Sequence, residues 1–175
     1  EGAYIHPPKT MMEVFENLPE GTLAQLINNQ IYMSPSPSNS HQKLLMTISA
    51  QLFNYTGKNH LGEVRVAPFD VYLNNKNAYQ PDILFIANEN LYKLKEQGFF
   101  GAPDLVVEIL SPATRRFDKG EKKAEYERSG VKEYWIIDPA DNSTEGFILQ
   151  EGKFESIPGN PREIIFRSFA LQIAL

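Results

Sequence analysis

The chain has 175 residues, 42% of them hydrophobic and 11% aromatic, which is the composition of one globular domain over 1–175 and not of a disordered chain. Cysteine is absent, removing disulfides, thiolate zinc centres and cysteine nucleophiles together, and the formal charge of -5 argues against a general nucleic-acid coat. No apolar run approaches the ~18 residues of a membrane span and the first residues lack a signal-peptide core, so a soluble, cytoplasmic protein with no membrane partner is expected.

In chain order, Thr10 and Glu13 have the spacing of a capping box and predict a short helix to about Asn17. Leu23–Ile27 and Ile31–Met33 flank Asn28-Asn29, a pair suited to a type I′ turn, and read as a hairpin. After the loop Ser34–Ser40, the spacing of Leu44, Leu45, Ile48, Leu52 and Tyr55 predicts a helix from His41 that buries one stripe. His41 falls on that stripe, where a capping or core-edge role competes with one at a site. Strands are expected over Glu63–Leu73, bent at Pro68, and over Gln80–Ile86, opening with Pro81. A short exposed helix is expected over Asn88–Gln97.

Leu105, Val106, Val107, Ile109 and Leu110 form a nearly continuous apolar run, the pattern of a strand covered on both faces. Glu108 interrupts it. A carboxylate taken out of water neutralises, pairs with a cation or binds a metal. Next comes a predicted helix from Asp118, as N-cap, to about Ser129, with Gly130 as C-cap, and then a strand over Glu133–Asp138. Strand, crossover helix and strand imply parallel pairing of the two strands. Lys119, Lys122 and Tyr126 share one helix face, so a lysine is carried toward the strand that holds Glu108. Thr144–Gln150, Lys153–Ile157 and Arg162–Phe166 read as peripheral strands.

If neighbouring strands pair, Asp82 and Glu108 lie side by side with Lys122 nearby. Two carboxylates and a lysine suit metal-assisted phosphodiester hydrolysis: hard oxygens for Mg²⁺, and a cation to orient water or stabilise the transition state. The competing reading is a buried Glu108–Lys122 salt bridge with Asp82 capping a turn. Ser111 to Lys132 carries a local +3, leaving -8 elsewhere, compatible with a phosphate-bearing substrate. Asp104 is read as a strand-start residue at an exposed end and Asp70 as a surface residue. Arg115 and Arg116 are an arginine pair able to hold phosphate or simply to be solvated, and Trp135 is assigned to the core. No G-x-S-x-G, H-E-x-x-H, Walker or G-x-G-x-x-G pattern is present.

Gln80-Pro81-Asp82, Ala102-Pro103-Asp104 through Glu108 to Ser111-Pro112, Asp118, Glu121-Lys122, Tyr126 and Gly130-Val131 with Glu133–Pro139 together resemble the Uma-two endonuclease family, as do Ser34-Pro35 and His41-Gln42 upstream. The resemblance spans nearly the whole chain. It implies an α/β fold of the restriction-endonuclease-like, PD-(D/E)XK type, with a mixed central sheet flanked by helices, an N-terminal hairpin and C-terminal strands. It implies Asp82 as the PD aspartate and Glu108 as the acid of the E-x-K element, both on Mg²⁺ or Mn²⁺. The E-x-K lysine position is Leu110 here, and the resemblance implies Lys122 as its replacement from the helix. Gln25 stands where many members have an acid. The expected activity is a metal-dependent endonuclease acting on DNA rather than RNA, with a homodimer as possible assembly; the alternative is an inactive nuclease-fold module that binds DNA or assembles with protein.

Overall fold

The computed structural model describes residues 6–175. In chain order its elements are α1 (Met11–Glu16), β1 (Ala24–Ile27), β2 (Gln30–Met33), α2 (Asn39–Lys58), β3 (Gly62–Val66), β4 (Val71–Asn74), β5 (Asn77–Tyr79) and β6 (Ile83–Ala87). A 3₁₀ turn (Asn88–Lys93), β7 (Leu94–Lys95), β8 (Gly98–Phe100), β9 (Leu105–Ile109), α3 (Arg115–Lys119), α4 (Glu121–Ser129) and β10 (Glu133–Asp138) follow. The chain closes with β11 (Ser143–Gln150), β12 (Lys153–Ile157), β13 (Glu163–Ile165) and β14 (Gln172–Ala174).

The central six-stranded sheet runs β12-β11-β10-β9-β6-β3. β9 pairs parallel with β10 and antiparallel with β6, so the crossover through the helices has the expected direction. Alternation along these strands separates two cores. Ile83, Phe85, Leu105, Val107, Ile109, Trp135 and Ile137 meet Leu44, Leu45, Ile48 and Leu52 of α2 on one face. Val106, Leu110, Tyr134 and Ile136 meet Phe117 and Tyr126 of α3 and α4 on the other. Glu108 falls in the second set by parity. A second six-stranded sheet, β2-β1-β5-β4-β8-β7, packs on that same side, with Val71 and Phe99 against Leu84 and Ile86.

Several expectations change in the structure. The 63–73 strand is two strands, because the chain leaves the central sheet at the cis Ala67–Pro68 bond and enters the second sheet as β4. The 80–86 strand likewise opens only at Ile83, and residues 80–82 cross between sheets. The 88–97 helix is a 3₁₀ turn followed by the β7–β8 hairpin. The 118–129 helix is broken at Gly120, which places Asp118 inside α3 and not at an N-cap. β13 pairs with β14 in a separate hairpin. The Thr10 cap, the Asn28-Asn29 turn with both residues at positive φ and the left-handed Gly130 cap all form as read.

Trp135 lies opposite Gly146 across the β10–β11 pair, and a Cβ on Gly146 would sit 2.5 Å from the indole ring. Gly146→Val should therefore overpack this layer and destabilise by about 1–3 kcal/mol. Urea unfolding measures it; an unchanged midpoint would contradict this packing.

Candidate active site

The site begins where the chain crosses between sheets. Asp82 is the last residue before β6, and Glu108 lies on β9 beside it. Asp82 N–H donates to Glu108 Oε1 at 2.9 Å, and Ile109 N–H donates to Asp82 Oδ2 at 2.7 Å. Each acid thus accepts a main-chain N–H from the other's strand, which fixes the two carboxyl groups together. Gln25 of β1 accepts from Gln80 N–H at 2.9 Å, and Gln80 Nε2 donates to Thr22 O and Asp70 Oδ1. Gln25 therefore holds the crossing segment from the second sheet.

Lys122 arrives from α4 with its side chain 2% exposed. Its ammonium is ion-paired to Glu108 Oε2 and, at 2.9 Å, to Asp118 Oδ1. Tyr126, one helical turn on, donates its hydroxyl to the same Glu108 oxygen at 3.3 Å. Tyr134 donates to the Asp118 carbonyl at 2.7 Å, fastening the break between α3 and α4. Burial pushes the Tyr126 phenol well above its ordinary pKa, so it remains a donor.

Asp82, Glu108 and Lys122 are therefore brought into one cluster. Two further residues join it. His41 Nε2 lies 3.2 Å from Asp82 Oδ1, while its buried Nδ1 has no close hydrogen-bond partner among the described residues. Ser38 caps α2 by accepting from His41 N–H, so the helix starts with its buried stripe aimed at the end of β6. A histidine on that stripe was the available signal. For Asp118 it was the i,i+4 spacing to Lys122, masked by assigning the aspartate to a cap.

Glu108 and Asp118 share the ammonium of Lys122, and Asp82 pairs with His41. Burial raises the pKa of Glu108 well above the carboxylate range; Lys122 opposes that rise, while the charges of Asp118 and Asp82 add to it. Burial also works against the charge on Lys122, but Asp118 and Glu108 outweigh it and hold its pKa above the ordinary value. The hydrogen bond to Asp82 likewise raises His41 against the effect of its own burial.

The cluster forms the floor of a cavity of about 910 Å³. Arg115 lies at the rim, paired with Asp138 at 2.7 Å, a bond that holds the Asp138 carboxyl below its usual range. The Arg116 guanidinium sits 4.5 Å over the Phe117 ring. Asp104 is buried, correcting its assignment to an exposed end, and binds Ala87 N–H, Asn90 and Lys132. Asp70 is half-buried against Gln80, and Trp135 is core, donating to Glu133.

Among the described residues no group of three or more His, Cys, Asp or Glu side chains could hold a metal. The available ligands are the two carboxylates. A carboxylate offers about four lone-pair positions. Glu108 Oε2 has both of its positions used by Lys122 and Tyr126, whereas Glu108 Oε1 and both Asp82 oxygens each have one partner among the described residues. Two hard oxygen ligands with room for water fit Mg²⁺ or Mn²⁺, which keep several waters and use few carboxylates.

A mixed sheet whose adjoining strand ends present two acids to a helix-borne lysine defines an α/β protein with the restriction-endonuclease-like fold. The crystal structure of "a putative nuclease belonging to DUF820" from Anabaena variabilis matches it with a TM-score of 0.77 over 95% of each chain at 17% identity. The chain belongs to the family described as "Uma2: Putative restriction endonuclease", whose model matches residues 12–175. No curated protein matches it. No helix among the described residues is long and apolar enough to cross a membrane.

Removing the Lys122 charge leaves two buried carboxylates facing each other. Lys122→Met should destabilise the fold by roughly 3–5 kcal/mol, measured by urea unfolding, while a loss under about 1 kcal/mol would contradict the buried pairing. His41 binds its proton more tightly folded than at its ordinary pKa of 6.5. Its contribution is thus complete below that value and lost as pH rises through the higher folded value. In chelator-treated protein the stability difference between wild type and His41→Gln should shrink from pH 6 upward; a difference that widens would reverse the assignment.

Proposed function

We propose that the protein is a Mg²⁺- or Mn²⁺-dependent endonuclease that hydrolyses phosphodiester bonds in DNA, with Asp82 and Glu108 as metal ligands and Lys122 assisting. The observation carrying this reading is the meeting of two carboxyl groups, with unused lone pairs, at the floor of an open cavity. A divalent ion bound there supplies an acidified water and neutralises charge on the phosphate. Asp82, the more exposed of the two acids at 18% of its side chain, offers its oxygens toward the cavity. Glu108 is held rigid by Asp82 N–H, Lys122 and Tyr126. The Lys122 ammonium sits beside the reacting region, where it can orient a nucleophile or offset developing negative charge. DNA as the polymer follows the restriction-endonuclease description of the family.

A second reading is favoured by the sealing of Lys122 between Glu108 and Asp118. There the ions hold a catalytically inactive nuclease fold together, and the domain binds DNA or assembles with protein.

Melting with and without Mn²⁺ separates the two. At about 100 times its dissociation constant a ligand adds ~2.7 kcal/mol, or roughly 5–10 °C for a domain of this size. Wild type should show that rise and cleave DNA, and Asp82→Asn and Glu108→Gln should lose both while remaining folded. An unmoved melting point together with undiminished cleavage by Glu108→Gln would defeat the nuclease assignment.

A further inference from the structure

The cavity over the site has walls unlike those of a duplex-binding cleft. Asp82, Glu108, Asp118 and Asp138 open on it, and its lysine and arginine, Lys122 and Arg115, are both in ion pairs with three of those acids. Duplex recognition draws half to two-thirds of its hydrogen bonds from phosphate and sugar, and its affinity from Lys and Arg neutralising phosphates. The charged lining offers an intact backbone no uncommitted cation. Among serines and glutamines, the uncharged wall carries an apolar stretch. Leu23 and Pro35 are held side by side, Ser34 N–H donating to Leu23 O at 2.8 Å, with exposed Pro37 beyond and Pro68 also lining the space.

Size points the same way. At about 910 Å³ the space falls in the ~300–1,000 Å³ range of ligand pockets. Glu108 and Lys122 at its floor are each 1% exposed. A phosphodiester reaching them has to enter the cavity, and the space is large enough for a nucleotide freed from the stack to follow it. Enzymes acting on extruded nucleotides hold the freed base between aromatic or apolar side chains.

Building on the nuclease reading above, we infer that the site acts on an unpaired nucleotide, in a single-stranded stretch or a bulge, with its base against the Leu23–Pro35–Pro37 wall. Intact duplex is then a poor substrate because its backbone stays outside.

The test uses the full chain with Mn²⁺ and three end-labelled DNAs of one sequence: a single strand, a blunt duplex, and a duplex with a three-nucleotide bulge. The single strand and the bulge should be cut at least tenfold faster than the blunt duplex, with bulge cleavage confined to the unpaired positions. A duplex cut as fast as the single strand overturns this inference and leaves the nuclease reading standing; no cleavage of any substrate overturns the nuclease reading itself. Binding of the single strand in Ca²⁺ should fall less than about tenfold between 50 and 200 mM salt, as one or two phosphate contacts require. A steeper fall overturns the inference. Pro35→Asp, at an exposed position, should lower single-strand cutting at least tenfold with the melting temperature unchanged. Unchanged cutting by that variant removes the wall from the account.

Discussion

Lys122 sealed between Glu108 and Asp118 is the interaction on which the rest of the structure depends. Taking charged groups out of water costs several kcal/mol each, and only close pairing with further hydrogen bonds offsets it. The surrounding architecture supplies those bonds. Tyr126 reaches Glu108 from α4, Asp82 N–H reaches it from the neighbouring strand end, and Tyr134 ties down the helix break that brings Asp118 into line. The two sheets and the broken helix are thereby locked around one ammonium. Around it Asp118 and Glu108 share the ammonium, while Asp82 is paired separately with His41.

The central feature was legible because Glu108 violates the pattern of its own strand. A charge within Leu105–Leu110 requires a partner, and helical spacing from Tyr126 identified the lysine. Asp82 followed from the tendency of consecutive strands to pair. His41 and Asp118 were visible only as a stripe histidine and a helix-start aspartate, and each had a commoner local explanation. Their roles depend on where α2 and the α3–α4 break fall against the sheet, which local propensity does not encode.

The fold was read well where the signal was local and poorly where the chain changed sheets. Capping at Thr10, the asparagine pair and Gly130 act within a few residues, and each formed as expected. Residues 67–70 and 80–82 carry the chain between stacked sheets, and continuous strand-like composition hides the crossing. The crossing at 80–82 is also what gives the site its opening, because Asp82 leaves the ladder there and its side chain lines the cavity. The Leu23–Pro35 stretch and the Arg115–Asp138 pair line the same opening.

The central claim is that the paired acids Asp82 and Glu108 form a divalent-metal site. Crystals soaked in Mn²⁺ and measured at the manganese edge test it directly. The account predicts one anomalous peak per chain, roughly 2.0–2.3 Å from oxygens of both Asp82 and Glu108. Crystals showing no peak there, with Glu108 bound only by Lys122, Tyr126 and Asp82 N–H, would contradict it.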